Sequence, residues 1–294
     1  MSDPPRALID GRPAAGGGLD PADRGLAYGD GVFRTVAIAD GAPELWDRHM
    51  AALGADCARL AIPAPVPAVL AREASGLIAA MASGVLKIIV TRGAGGRGYR
   101  PPAAPVPTRI LALHPAPDHP LEWASRGVAV RLCETRLSHQ PALAGVKHLN
   151  RLDQVLARAE WSDPDIAEGL MRARDGAVVS GTMTNLFLVR GARLLAPEIA
   201  GEGVAGVARG LVLDHARDSG IVVETGRFTV EDLRAADGAF LTNAVIGLWP
   251  VGSVDGHVLG RPWLTARIDQ AIHRARRRSR AAWKKTAEES PSRA

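Results

Sequence analysis

The chain has 294 residues, 47% of them hydrophobic, with a formal net charge of +5; that is enough for one large or two ordinary domains around a substantial core. No segment approaches the ~18 uninterrupted apolar residues of a membrane helix, the start lacks a cationic segment followed by an apolar run, and two cysteines, Cys57 and Cys133, exclude a disulfide framework or thiolate metal site, so a soluble cytoplasmic protein is expected. From Arg274 onward eight Lys or Arg face two Glu, while the other 273 residues carry 28 basic and 29 acidic side chains; the basicity is a tail, read as a solvated helix end or extension, and two tyrosines with four phenylalanines leave little for base stacking, so no specific nucleic-acid partner is expected.

In chain order, residues 7–9 read as a strand entering the Asp10-Gly11 turn, 32–39 as a strand closed by Asp40-Gly41, 49–60 as a helix stopped before Pro63, and 66–81 as a second helix. Residues 84–91 are a buried strand, and 109–113 another. Between them, Gly93-Ala94-Gly95-Gly96-Arg97-Gly98 matches a dinucleotide-binding fingerprint, but Tyr99-Arg100-Pro101-Pro102 follows and cannot open the required helix. A loop carrying Arg92, Arg97, Tyr99 and Arg100 remains, suited to gripping a carboxylate. The proline-rich stretch 114–120 marks a domain boundary. The expected organisation is a small N-terminal α/β domain (1–115), a linker (116–120), a large C-terminal domain (121–280) and a basic tail (281–294), in a mixed α/β (α+β) class.

In the second part, 128–134 reads as a strand and is followed by Gly145-Val146-Lys147-His148-Leu149-Asn150-Arg151-Leu152. Leu152, Val155, Leu156 and Ala159 recur at helical spacing, with Asn150 as N-cap of a helix ending near Trp161. Lys147 then lies just outside a helix N-terminus, where the dipole disfavours an ammonium, and a lysine held there can form a Schiff base with a carbonyl. Residues 167–174, 178–179 and 185–189 read as a strand meander, 207–219 as a helix, 221–225 and 239–242 as strands, and 261–278 as the terminal helix. Glycines 201, 203 and 206 run into the 207–219 helix and make its start a natural phosphate seat. The histidines lack the i, i+4 spacing of a helical zinc site, so no metal is expected. Ser180-Gly181-Thr182 lacks the flanking glycine of a nucleophile elbow. A lysine, a phosphate-ready helix start and an arginine loop are together what a pyridoxal phosphate enzyme needs.

The ordered set Asp23-Arg24-Gly25, Tyr28-Gly29-Asp30-Gly31-Val32-Phe33, Arg92 to Tyr99, Gly145 to Leu152, Asn185-Leu186-Phe187 and Asn243-Ala244 resembles the class IV aminotransferases, the fold type IV pyridoxal phosphate enzymes. Arg92 to Tyr99 and Lys147 to Leu152 resemble the 4-amino-4-deoxychorismate lyase branch in particular. The resemblance implies a D-amino-acid/branched-chain aminotransferase-like fold, with the cofactor cleft between two domains, and a homodimer. It makes Lys147 the Schiff-base lysine, gives the phosphate to Gly206, Val207, Ala208 and Ala244, the substrate carboxylates to Arg97, Tyr99 and Asn243, and a role near the scissile bond to Thr35. The implied reaction cleaves aminodeoxychorismate to 4-aminobenzoate and pyruvate. Two positions depart from the family pattern: Ser180 stands where a glutamate usually pairs with the pyridine nitrogen, and Ala52 where an arginine usually binds phosphate, for which Arg48 on the same helix is the expected replacement. Loss of the carboxylate at 180 weakens transamination more than an elimination assisted by aromatisation. The alternatives are a D-amino-acid or branched-chain aminotransferase and a cofactor-free carboxylate-binding homologue.

Overall fold

A computed structural model describes residues 6–16, 18–79 and 81–289. The described residues divide into two compact units: those within 6–117, 147–150 and 275–289 form the first, and those within 118–146 and 151–274 the second.

The first unit contains β1 (Ala7–Ile9), β2 (Arg12–Pro13), α1 (Arg24–Tyr28), β3 (Gly31–Ala39), β4 (Ala42–Pro43), α2 (Trp46–Arg59), α3 (Pro67–Ile78), β5 (Gly84–Thr91) and β6 (Arg109–His114). Its six strands form one antiparallel sheet in the order β2-β1-β6-β5-β3-β4. Asp40 and Gly41 both take positive φ, 52° and 70°, as a two-residue hairpin turn requires, which explains why β3 ends where Asp-Gly occurs. Val32, Val36, Ile38, Leu86, Ile88 and Leu111 are buried with Leu53 and Cys57 of α2 and Leu70 and Leu77 of α3; helices thus cover the apolar face of the sheet. One charged residue shares the inward positions of β3: Arg34 is 2% exposed.

The second unit contains α4 (Glu122–Arg126), β7 (Val128–Arg136), α5 (Leu152–Arg158), β8 (Ile166–Arg172), β9 (Val178–Gly181), β10 (Asn185–Arg190), β11 (Arg193–Pro197), α6 (Val207–Asp218), β12 (Val223–Gly226), α7 (Val230–Arg234), β13 (Gly238–Asn243), β14 (Gly247–Val254), β15 (His257–Val258) and the start of α8 (Trp263–Glu289). Its strands run β12-β11-β10-β13-β14-β7-β8-β9, with β15 on β14. β9 also pairs with β10, at Ser180 and Asn185, so the ring β10-β13-β14-β7-β8-β9 closes and leaves those strands without a free edge. Leu170, Leu186, Leu188, Leu241, Trp249 and Val251 belong to the core that this ring and its covering elements enclose.

Two of these elements, α5 and α8, differ from the sequence expectation. The helix after Lys147 is only the seven residues of α5; Asn150 is not its cap, because Arg151 holds that position and the Asn150 amide donates to Gly29 O at 3.2 Å. Leu152, Val155 and Leu156 are exposed, Leu152 to 73%, and Ala157 is the buried residue of the helix. The basic segment is not solvated throughout. α8 continues to Glu289, Arg276 and Arg280 are ion-paired with the buried Glu44, and Trp283 packs edge-on against Trp46 with ring centroids 4.9 Å apart.

Candidate active site

In the first unit the site is built around β3. Residues 147–149 lie along this strand: Phe33 N–H donates to Lys147 O at 2.9 Å, Leu149 N–H to Gly31 O at 2.9 Å, and Val32 bridges His148. Lys147 N–H points to the α2 side chain Asp56, whose Oδ2 accepts it at 3.0 Å. Its ammonium stands over the Phe33 ring, 4.5 Å from the centroid, a favourable cation–π placement. Phe33 and Thr35 are two residues apart on β3, so their side chains share a face of the sheet. The strand therefore brings Lys147 and Thr35 to one side. The helix-dipole argument for Lys147 fails, because α5 opens five residues later and the dipole's effect is confined to the first turn; strand pairing and Asp56 hold the lysine instead.

Arg48 is exposed on α2. The guanidinium that reaches the Ala52 position belongs to Arg34, whose Nη2 donates to Ala52 O at 2.7 Å and pairs closely with Asp56 Oδ2. Burial lowers the Arg34 pKa from its ordinary value, opposed chiefly by Asp56. His49, on the same helix, has no hydrogen-bond partner for either ring nitrogen among the described residues. Burial first, then the charges of Arg34, Lys147 and Arg276, push its pKa down to about 3, so the imidazole is neutral at physiological pH.

The 97–100 loop is shaped by Arg24, a residue read from sequence only as part of a motif. Buried at the start of α1, it donates from Nε to Asp30 at 2.9 Å, from Nη1 to Gly98 O at 3.0 Å and from Nη2 to Tyr99 O at 2.9 Å. Its guanidinium also lies 4.9 Å from the Tyr28 ring centroid, and Tyr28 meets Tyr99 edge-on at 5.4 Å. Arg97 and Tyr99 are presented outward on this clamp, Tyr99 84% exposed. Arg92 is not part of the gripping surface. It is buried, bidentate to Asp30 at 2.7 and 3.0 Å, and donates to Leu60 O and Ala61 O. Although burial opposes it, hydrogen bonds from Arg92 and Arg24 hold the Asp30 carboxyl below the ordinary value of 3.8.

In the second unit Gly206 is the N-cap of the 12-residue α6, with no side-chain cap for the helix's first N–H groups and no acidic residue in the first turn. Val207 and Ala208 open the helix and are buried. Asn185 props the approach: its Nδ2 donates to Val204 O at 2.8 Å, and its Oδ1 lies 2.3 Å from where a Cβ on Gly206 would stand. Gly145 pairs with Val204, and Gly145 N–H and Ala205 N–H close that pairing at 3.0 and 2.9 Å. The chain immediately before Lys147 is thereby tied to the chain immediately before α6.

Asn243 ends β13. Its Oδ1 accepts the N–H groups of Val245 and Ile246, both at 2.8 Å, and orders the turn containing Ala244, while its Nδ2 donates to Met183 O at 3.3 Å. Met183 sits in a turn organised by Glu168, which is 1% exposed on β8. Glu168 Oε1 accepts from Gly169 N, Thr182 N and Thr182 Oγ1, and Oε2 from Met183 N and Thr184 Oγ1, over 2.6–3.1 Å. Ser180 is buried, and its hydroxyl donates to Gly181 O at 2.9 Å. Asp175 is committed to Arg227, at 2.6 and 2.8 Å. Glu168, Arg34 and Asp56 are structural residues that sequence reasoning missed. Glu168 and Arg34 are each a charge in the interior of an otherwise apolar strand, which is a legible signal.

A model of the class IV aminotransferases matches residues 31–254. The chain belongs to this family. It is 37% identical over 232 residues to the aminodeoxychorismate lyase of Vibrio harveyi, covering 79% of this chain and 86% of that one. It is 30% identical over 243 residues to a putative branched-chain-amino-acid aminotransferase of Methanocaldococcus jannaschii, covering 81% and 83%. The fold superposes on the crystal structure of 4-amino-4-deoxychorismate lyase from Pseudomonas aeruginosa with a TM-score of 0.86 and 46% identity, over 91% of this chain and 98% of that one. The mixed α/β, aminotransferase-like fold inferred from sequence is therefore correct.

Proposed function

We propose that this chain is an aminodeoxychorismate lyase that uses pyridoxal 5'-phosphate to convert 4-amino-4-deoxychorismate to 4-aminobenzoate and pyruvate. The observation that carries the reading is a lysine whose N–H and C=O are both fixed and whose amine stands over an aromatic ring on the same strand face as Thr35. Likeness to lyases at 37% and 46% identity supports the choice of reaction over transamination.

The residues present fit the cofactor. The start of α6 has backbone donors and a glycine whose Cβ would crowd its neighbour, so Gly206, Val207 and Ala208, with Ala244, would hold the phosphate. Lys147 would hold the aldehyde. Pyridoxal phosphate bound there supplies an electron sink for the carbon that bears the substrate amine. Once the substrate amine has taken its place on the aldehyde, the freed amine of Lys147 would take the proton from that ring carbon, the enolpyruvyl C–O bond would break as the ring becomes aromatic, and Thr35 would pass a proton to the departing three-carbon unit. Arg97, Tyr99 and Asn243 orient the substrate carboxylates. Arg48 would supply the cationic contact expected near Ala52, since Arg34 is committed to Asp56 and Ala52 O.

Ser180 donates its hydroxyl to Gly181 O and Glu168 is occupied by five donors. Neither therefore offers the pyridine nitrogen an uncommitted carboxylate, and we infer a lyase with little aminotransferase activity. Installing Ser180→Glu tests this: cofactor affinity and transaminase activity rise together, and a variant that gains neither contradicts the inference. The exposed apolar row Leu152, Val155 and Leu156 supports a homodimer, and the two buried free cysteines a reducing, cytoplasmic setting. No helix among the described residues is long and apolar enough to cross a membrane. The cofactor reading is tested by the visible spectrum of protein mixed with pyridoxal phosphate. A band abolished by borohydride, with the reduced adduct mapping to Lys147, is expected; a colourless protein contradicts it.

A further inference from the structure

Lys147 is held from two directions. Its C=O takes the Phe33 N–H at 2.9 Å, which fixes it to β3. Its N–H goes to a side chain of a different element, Asp56 of α2, at 3.0 Å. Asp56 is buried, and the oxygen that accepts Lys147 N–H is also the oxygen paired with Arg34. Arg34 comes from β3, next to Phe33, and its second bond, to Ala52 O at 2.7 Å, runs one turn along α2 from Asp56. Strand, helix and lysine are thus joined through a single carboxylate oxygen.

We propose that Asp56, charge-balanced by Arg34, is a positioning residue for Lys147: it fixes the peptide unit preceding the lysine and so the direction in which the lysine amine is delivered. This rests on the reading of Lys147 as the cofactor lysine. A buried ion pair is weak grounds for stability, since its desolvation offsets most of its attraction, so the pair is better explained by what it holds. A charged acceptor gives a shorter and roughly twice stronger hydrogen bond to an N–H than a neutral one. Arg34 supplies the opposite charge to that acceptor in a buried place. Neighbouring His49, neutral because of its burial and the surrounding cations, does not replace either charge. Misplacement of a reacting group by about 1 Å costs on the order of 100-fold in rate, which sets the scale available to such a residue.

The test uses the full-length wild type and three variants, freed of cofactor and mixed with pyridoxal phosphate for the attachment rate and fully loaded with it for the kinetics. The readouts are the rate of borohydride-trappable attachment of pyridoxal phosphate to Lys147, mapped by mass spectrometry, the separate kcat and KM for 4-aminobenzoate formation, and the melting temperature. Asp56→Ala is expected to slow attachment and lower kcat by about tenfold or more while KM stays within about threefold. Arg34→Met/Asp56→Asn, which removes the charges but keeps an acceptor oxygen, is expected to recover most of that loss. If Asp56→Ala does not fold, Arg34→Met/Asp56→Ala removes the charge imbalance and is expected to show the same slow attachment. Folded Ala variants with unchanged attachment rate and kcat, differing only in melting temperature, overturn the proposal. Wild-type protein that attaches the cofactor at a residue other than Lys147 overturns the underlying reading instead. Normal wild-type attachment with unchanged variants overturns the positioning role alone.

Discussion

Two segments of this molecule that carry candidate substrate contacts are each shaped by one buried charge, and the charges have opposite sign. In the first unit the cation Arg24 gathers the carbonyls of Gly98 and Tyr99. In the second the anion Glu168 gathers the N–H and O–H groups of residues 182–184. Arg24 has a counter-ion in Asp30, 2.9 Å away, whereas Glu168 accepts from N–H and O–H dipoles among the described residues. Side chains proposed to meet a charged ligand are not the ones that order their own segments: Arg97 and Tyr99 point out while their backbone is held from behind, and Asn243 is oriented through Met183 O. The difference predicts that the second turn is the more brittle. An anion held by five donors leaves several buried groups unsatisfied when it is removed. Loss of Arg24 exposes carbonyls that water can reach.

The largest effect is therefore expected for Glu168→Gln, whose amide hydrogens face donors. Unfolding in urea should show a loss of about 3 kcal/mol, and a loss below about 1 kcal/mol would remove the contrast between the two segments. Arg24→Met should cost less, about 2 kcal/mol, but raise KM for the substrate several-fold and make the bond after Arg97 sensitive to trypsin. An unaltered cleavage pattern would show that the loop does not depend on the clamp. Gly206→Ala places a Cβ 2.3 Å from Asn185 Oδ1 and should destabilise by about 1 kcal/mol while weakening pyridoxal phosphate binding in titration.

The smallest effect is local and depends on pH. The folded-state pKa of Asp30 lies below its unfolded value, so its contribution is fully present above the ordinary 3.8 and is lost as pH falls through the lower folded value. Hydrogen exchange of the 98–100 amides should be unaffected by this group between pH 7 and 5 and rise, after correction for intrinsic rates, below about 4. A rise already at pH 6 would assign the clamp to some other group.

Strands β3 and β5 were legible because apolar runs end at unambiguous turn residues, and α6 because its apolar positions repeat at helical spacing after glycine. β14 carries no strand expectation because Gly247, Pro250 and Gly252 interrupt its apolar run, yet Pro250 pairs opposite Phe240 in the register of the sheet. α5 was over-read: Leu152, Val155 and Leu156 have helical spacing but face outward, and periodicity alone does not say which surface covers an apolar face. The arginine run in α8 was misjudged for the converse reason, since its partner Glu44 lies more than 200 residues away. What holds Lys147 was not legible, because its support comes from Phe33 and Asp56, neighbours in space that only the fold brings together. Arg34 beside Val32 and Val36, and Glu168 beside Leu170, carried a readable signal, because a charge at an inward strand position requires a partner.

What separates a lyase from an aminotransferase here is which bond the protein breaks. Purified protein loaded with pyridoxal phosphate and supplied with 4-amino-4-deoxychorismate, without any 2-oxo acid, is predicted to release 4-aminobenzoate and pyruvate in equal amounts. Failure to form 4-aminobenzoate, together with transfer of an amino group from a branched-chain or D-amino acid to a 2-oxo acid, would contradict it.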